Sequence, residues 1–220
     1  MSYDEADAWQ DAAMESLYSD FLEDPGTRAT FYEELYDEIV QDFTAARLRS
    51  YFIENPDLAA PAARALADAR ALTAVHQTAG FMFGAIALDV ALGAVLLRPI
   101  VYGLVHSDTA AALITKLAIA HQDENFTKVL LDLLASFGGV DPRTQYRVVG
   151  GPKLWDEMLT IRQKRNGIAH RAELATGEEA QLAIAVASCM IEELFPVVVR
   201  TLGLHLHGTT VCEQPHRTGT

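Results

Sequence analysis

Apolar residues recur every three or four positions along most of the chain, the spacing that places them on one face of a helix. Gly, Pro and Asn residues interrupt this pattern at intervals. The pattern predicts helices at about 4–23, from Thr27 or Thr30 to 55, from Pro61 to 75, at 79–97, 107–121 and 124–137, from Pro152 through His170, and at 176–203. We expect Pro99 to kink or end the helix before it, Trp155 to point inward, and Thr176 and Glu179 to form a capping box. Stretches that alternate apolar and polar residues, as half-buried strands do, are nearly absent. The sequence therefore predicts an all-α protein.

Charge divides the chain into an acidic beginning and a nearly neutral remainder. The formal net charge is −13. Residues 1–60 hold 15 acidic residues against 3 Arg, whereas residues 61–220 hold 15 against 14 Lys and Arg. Of the 18 aromatic residues, 10 lie in the first 60 positions. Because Asn55-Pro56 ends a predicted helix, we predict an acidic helical extension at 1–56, a helical body at 57–203 and a disordered tail at 204–220.

The acidic extension has two interpretations. In the first, it is a solvated helical hairpin that packs its aromatic residues on the body. In the second, it presents a surface that imitates the charge of a nucleic acid and occupies a basic site, either on a partner protein or on this chain. A partner protein bound through the extension is accordingly one expectation.

The stretch 79–97 is long and apolar enough to suggest a membrane span, because its 19 residues carry one charge. That charge, Asp89, would lie near the middle of the bilayer, where a carboxylate is costly. A buried central helix has the same composition. The N-terminus lacks the features of a signal peptide, and the two cysteines suggest no disulfide framework. We therefore predict a cytoplasmic protein that does not span a membrane.

The segment Arg165-Asn166-Gly167-Ile168-Ala169-His170 combines a permanent cation, an amide and a titratable imidazole. On a helix, Asn166 and His170 lie one above the other, four residues apart. Arg165 points about 140° away from His170 at 100° per residue. A helix of this kind is more useful at a two-fold axis, where two copies bring their Arg and His side chains into one cleft.

Basic residues surround the segment, and they form the densest basic cluster of the chain: Arg162, Lys164, Arg165 and Arg171. Such a cluster attracts phosphate, so Arg162, Lys164 and Arg171 are candidates for substrate binding. Asp89 is a candidate partner for Arg165, since a buried carboxylate needs a donor. A purely structural interpretation stays open, in which Arg165 pairs with an acid of the core and His170 only completes a hydrogen bond.

The segment IRQKRNGIAHRAE resembles the signature of HEPN domains, which is Arg, a polar residue, three variable residues and His. The match falls on Arg165, Asn166 and His170, and a long apolar helix precedes it, as in that family. The resemblance covers about residues 60–203 and implies a HEPN-like helical bundle that dimerises through the motif helices. Many members are metal-independent RNases, often toxins or antiviral effectors. One departure is Ala172, where one toxin branch has a Tyr.

The resemblance also implies roles for the motif residues. His170 would be the general base or acid acting on the ribose 2′-hydroxyl and the leaving 5′-oxygen. Arg165 would stabilise the charge on the phosphorane, and Asn166 would orient the substrate or Arg165. RNA, a second copy of the chain, and neither cofactor nor metal are therefore expected. His205, His207, Cys212 and His216 have residue types that bind zinc, but their spacing is unlike that of a zinc finger. The alternative function is a non-catalytic HEPN-like module that binds RNA, a nucleotide or a partner protein.

Overall fold

The computed structural model describes residues 45–105, 114 and 124–214. These residues are predominantly helical, which confirms the predicted all-α character apart from one small two-stranded sheet. The elements are numbered here as α1 Ala45–Glu54, α2 Ala60–Thr73, α3 Gln77–Leu104, α4 Glu124–Gly138, α5 Leu154–Arg171, α6 Gly177–Thr201, β1 His205–His207 and β2 Thr210–Cys212. The helices predicted at 4–23 and 107–121 lie outside the described residues, except for helical Ile114.

Helix α1 belongs to the core of the body, although the predicted boundary near residue 56 assigned it to the extension. Its Leu48 and Phe52 side chains are buried, and the rings of Phe52 and Phe195 lie 5.9 Å apart. The compact unit that contains α1 begins at Phe43. Asn55-Pro56 ends the helix as predicted, but a helix end is not a domain boundary when the side chains before it pack into the same core.

The two longest helices, α3 and α6, share one irregularity. Each contains a π-helical segment, Ala91–Leu97 in α3 and Cys189–Leu194 in α6, followed within two residues by a proline. The residue before Pro99 donates its N–H to the carbonyl five residues earlier, and so does the residue before Pro196. A proline ring clashes with the carbonyl four residues back, and the wider turn relieves that clash. The helices therefore continue through both prolines, so the predicted alternative of a helix end at Pro99 is wrong.

Helices α3 and α6 are also long and apolar enough to cross a membrane, judged by length and composition alone. Inside the protein, 67% of the most apolar window of α3 and 61% of that of α6 are buried. The buried core helices of soluble proteins have the same character, so these helices are weak evidence of a span. The predictions of a cytoplasmic location and of no membrane span stay predictions.

The end of the described chain forms a hairpin, so the prediction of disorder from residue 204 is wrong for residues 205–212. Strands β1 and β2 pair antiparallel, with Leu206 opposite Val211. Val211 is buried, and its N–H donates to the carbonyl of Pro56. The prediction followed from the position of these residues near the end of the chain. The buried Val211, the hydrogen bond from the Thr210 hydroxyl to Asp57 and the turn at Gly208, with φ of 62°, hold the hairpin in place. Residues 215–220 lie outside the described part.

Candidate functional site

Helix α5 carries the motif, and its beginning is fixed by the loop before it. Pro152 does not open the helix as predicted, because Lys153 is extended and its backbone bridges Tyr146. The helix starts at Leu154 and buries Leu154, Met158 and Ile161, as the apolar spacing predicts. Trp155, which was also predicted to point inward, is half-buried.

The carboxylate of Asp89 on α3 binds two guanidinium groups of α5. Its Oδ1 accepts a hydrogen bond of 2.9 Å from Arg162 Nε, and its Oδ2 accepts one from Arg165 Nη1. The predicted contact between Asp89 and Arg165 is therefore present. The exposed fractions of these side chains are 14% for Arg162, 25% for Asp89 and 38% for Arg165. Arg162 is thus the more enclosed cation, whereas part of the Arg165 guanidinium faces solvent.

The other two motif side chains, Asn166 and His170, are exposed. With the residues that the structure describes, neither side chain forms a hydrogen bond or an ion pair. The structural interpretation, in which His170 completes a hydrogen bond of the core, therefore has no support among the described residues. Asp89 joins Arg165 to Arg162, but it does not bring Arg165 to His170.

The chain turns back on α5 directly after the motif. Ala172 adopts the left-handed conformation, with φ of 54°, and its N–H caps the carbonyl of Gly167. The carboxylate of Glu173 then lies over Gly167, where an added Cβ would stand 2.4 Å from Glu173 Oε2. A larger residue at position 167 would displace this flexible carboxylate. With glycine at this position, a negative charge is held against the middle of the motif.

The remaining basic residues of α5 pair with acids on the far side of the helix. Lys164 Nζ lies 3.0 Å from Glu179 Oε1 and 3.9 Å from Glu173 Oε2. Arg171 Nε donates to Glu173 Oε1 at 2.9 Å, and Arg171 Nη2 lies 2.8 Å from the same oxygen. The predicted basic cluster is therefore divided between two faces, and each of its four cations contacts a carboxylate. The local positive patch expected from the sequence is largely neutralised.

Glu179 takes part in a second interaction that fixes α6. The backbone N–H of Thr176 donates to the Glu179 carboxylate, while the Thr176 hydroxyl accepts from the Glu179 N–H, which completes the predicted capping box. This backbone hydrogen bond, assisted by Lys164, lowers the pKa of Glu179 below its ordinary value. One carboxylate thus connects the start of α6 to the motif helix.

The sequence analysis missed the pair formed by Arg147 and Glu157. Glu157 lies on α5 and is buried, and two nitrogens of Arg147 hold its carboxylate, at 2.9 Å and 3.2 Å. The nearby Cys189 thiol is buried, and this burial raises its pKa to about 11. Spacing along α5 could have found Glu157, since it falls on the same side as the buried Leu154 and Ile161.

The hairpin brings potential metal ligands to one side of its two strands without forming a metal site. His205 stands opposite Cys212 in the strand register, and His207 follows two residues along. Among the described residues, no three His, Cys, Asp or Glu side chains are grouped closely enough to hold a metal ion. His216 lies outside the described part.

The comparisons with known proteins found no match, so a functional argument depends on the geometry described above. No protein-family model, curated protein or solved structure matches the chain.

Proposed function

We propose that the chain is a metal-independent RNA endonuclease of the HEPN type, acting as a homodimer through Arg165 and His170, and that it serves as an effector in stress response or phage defence. The observation that carries the proposal is the arrangement on α5. Arg165 is anchored by Asp89 yet 38% exposed, and Asn166 and His170 are exposed on the same helix. The biological role comes from the family resemblance alone.

The proposed reaction needs one base, one acid and a cation at the phosphate. His170 takes the proton of the ribose 2′-hydroxyl, and the 2′-oxygen attacks the phosphorus. The bond from phosphorus to the 5′-oxygen breaks, and an imidazolium returns a proton to that oxygen. Arg165 stabilises the phosphorane, and Asn166 orients the strand. The product is a 2′,3′-cyclic phosphate, so DNA, which lacks the 2′-hydroxyl, is not cleaved.

Helical geometry supports the second copy in this proposal. Arg165 and His170 project about 140° apart, with about 7.5 Å of rise between them. Asp89 also directs Arg165 toward α3. A phosphate beside His170 of one copy is therefore more easily reached by Arg165 of the other copy. Two antiparallel α5 helices at a two-fold axis provide that arrangement.

Cleavage of mixed RNA in EDTA tests the proposal. Wild-type protein and His170→Ala are compared, with His205→Ala as the matched control that removes an exposed imidazole of the hairpin. We expect wild type and His205→Ala to produce 2′,3′-cyclic ends, and His170→Ala to lose at least about 100-fold in rate. Equal activity of His170→Ala and wild type, or strict dependence on a metal, would refute the proposal.

The second candidate is a non-catalytic HEPN-like module that binds RNA, a nucleotide or a partner protein. The pairing of all four cations of α5 with carboxylates favours it, because little free positive charge remains for a transition state. It predicts no cleavage under any condition and a nucleotide affinity that falls in Arg165→Ala. Arg200→Ala, which removes an exposed Arg at the end of α6, is the control. Calorimetric titration with nucleoside monophosphates distinguishes the two variants.

A further inference from the structure

We infer that the proposed site holds RNA through only one or two phosphates, so that a short segment binds about as well as a long tract. The inference rests on the proposed function, because it concerns the substrate of the same site. It follows from how much positive charge α5 has available. A protein that follows a nucleic-acid backbone needs one unneutralised cation for each phosphate that it contacts.

The cluster of Asp89, Arg162 and Arg165 offers positive charge for one phosphate. One carboxylate stands between two guanidinium groups, so the cluster carries one net positive charge. Arg162 is 14% exposed, which leaves little of it for a ligand, whereas Arg165 is 38% exposed. An exposed guanidinium presents two parallel donors to one phosphate. The cluster is therefore suited to a single phosphodiester.

The opposite face of α5 adds no net charge. Lys164 and Arg171 supply two positive charges there, and Glu173 and Glu179 supply two negative charges. Arg171 is 65% exposed, whereas Lys164, Glu173 and Glu179 are partly exposed. Ion pairs in contact with solvent are individually weak, so a phosphate could displace a carboxylate. The displaced carboxylate would then bind a cation from solution. Such an exchange releases no net ion and gains little affinity.

The other described residues add no net positive charge to the site. The described residues hold 15 acidic and 14 basic side chains, a net charge of −1. A nearly neutral surface does not attract a polyanion at long range, so phosphates beyond those at Arg165 gain little affinity. Charge on the described residues therefore gives a long substrate little advantage over a short one.

Salt dependence of binding tests the inference directly. Fluorescence anisotropy with His170→Ala, used to prevent cleavage, compares RNA oligonucleotides of about 4 and about 24 nucleotides in KCl from about 50 to 300 mM. One or two contacts to a single strand give a slope of log affinity against log salt no steeper than about −1.4. We also expect the two affinities to agree within about tenfold. A slope steeper than about −2, or no measurable binding of either RNA, would overturn the inference.

A charge variant tests the stated cause. Glu173→Gln releases Arg171, so the affinity for the 24-mer should rise several-fold and the slope should steepen by about 0.7. Glu178→Gln is the matched control, because Glu178 is exposed, changes the charge equally and forms no ion pair with described residues. Equal effects of the two variants would show that pairing on α5 does not limit binding. Circular dichroism confirms that both remain folded.

These experiments separate the failure of the inference from that of the proposed function. Cleavage that depends on His170, together with a steep salt slope, leaves the endonuclease standing and removes the limit of one or two phosphates. A shallow slope without cleavage by wild type supports the limit and removes the endonuclease.

Discussion

Helices α3 and α6 have the same backbone plan but different polar residues. Both contain a π segment before a proline, and both bury most of their length. In α3, one carboxylate, Asp89, precedes the π segment and holds two guanidinium groups of α5. In α6, Ser188 precedes the π segment and accepts a hydrogen bond of 2.8 Å from Arg70, which also pairs with Glu192.

The apolar residues of the two helices build the core. The polar residue just before each π segment determines which side chains of a neighbouring helix it binds. Ser188 binds Arg70 of α2, and Arg70 and its other partner, Glu192 of α6, are both exposed. The partner of Asp89 is the motif itself. The candidate site therefore depends on the single acidic residue of a mostly apolar helix.

Asp89→Ala should have the largest effect, since it leaves Arg162 and Arg165 partly buried without a counter-charge. We expect a loss of about 2–3 kcal/mol in the free energy of unfolding. Ser188→Ala, at the corresponding place in α6, should cost less than about 1 kcal/mol. Urea denaturation measures both variants. Equal losses of unfolding free energy would show that the Asp89 cluster stabilises the protein no more than the contact of Ser188 does.

Gly84→Ala should cause the second largest loss of stability, because the added methyl group disturbs the contact between α3 and α6. An added Cβ would stand 3.1 Å from Ala183 Cβ and 3.2 Å from the backbone of Ala183 and Ile184. The helices must separate slightly, at a cost of about 1–3 kcal/mol. Thermal unfolding measures the loss. Ile86→Ala, which shortens an exposed side chain of the same helix, is the control and should cost less; a stable Gly84→Ala protein would contradict the close packing.

Glu179→Gln should have a smaller effect that depends on pH. The folded-state pKa of Glu179 is lowered, so its ionised form contributes stability above the unfolded-state pKa of about 4.3. This contribution is lost as the pH falls through the folded-state value. We expect the variant to be less stable by about 0.5–1 kcal/mol at pH 7 and to match wild type near pH 3. A difference independent of pH would contradict the ionic contribution.

The cysteines give the mildest test, because no residue is changed. Burial raises the pKa of the Cys189 thiol to about 11, so little thiolate forms at pH 8. Cys212 is half-buried in the hairpin. An Ellman assay on native protein should therefore show Cys212 reacting before Cys189. Denaturant should make both thiols react at the same rate, and fast labelling of Cys189 in native protein would contradict its place in the core.

Much of the described architecture could be predicted from the sequence, because helical periodicity and breakers are local. The capping box at Thr176, the end of α1 before Pro56 and the contact between Asp89 and Arg165 were all predicted. The last of these followed from one carboxylate needing a donor, and it required no knowledge of the distance along the chain. The role of Asp89 in catalysis is a separate matter and stays a prediction.

Other features depend on contacts that composition does not reveal. Glu173 neutralises Arg171 only because Ala172 turns the chain back over Gly167. The hairpin packs on the body partly through the hydrogen bond from the Val211 N–H to the carbonyl of Pro56, a residue far away in sequence. The burial of Leu48 and Phe52 likewise depends on partners in α3 and α6. A count of charges along the sequence therefore overestimated the positive field of the motif helix.

The π segments have a further consequence for how each helix orients its two halves. A π-turn contains one more residue than an α-turn. Each residue of an α-helix adds about 100° of rotation, so the extra residue changes the direction of every side chain that follows it. The buried Ile100 and Val101 consequently meet the core at an angle shifted from the one that an uninterrupted α-helix would give them. Without the wide turn, α3 could not both bury these side chains and direct Asp89 toward α5.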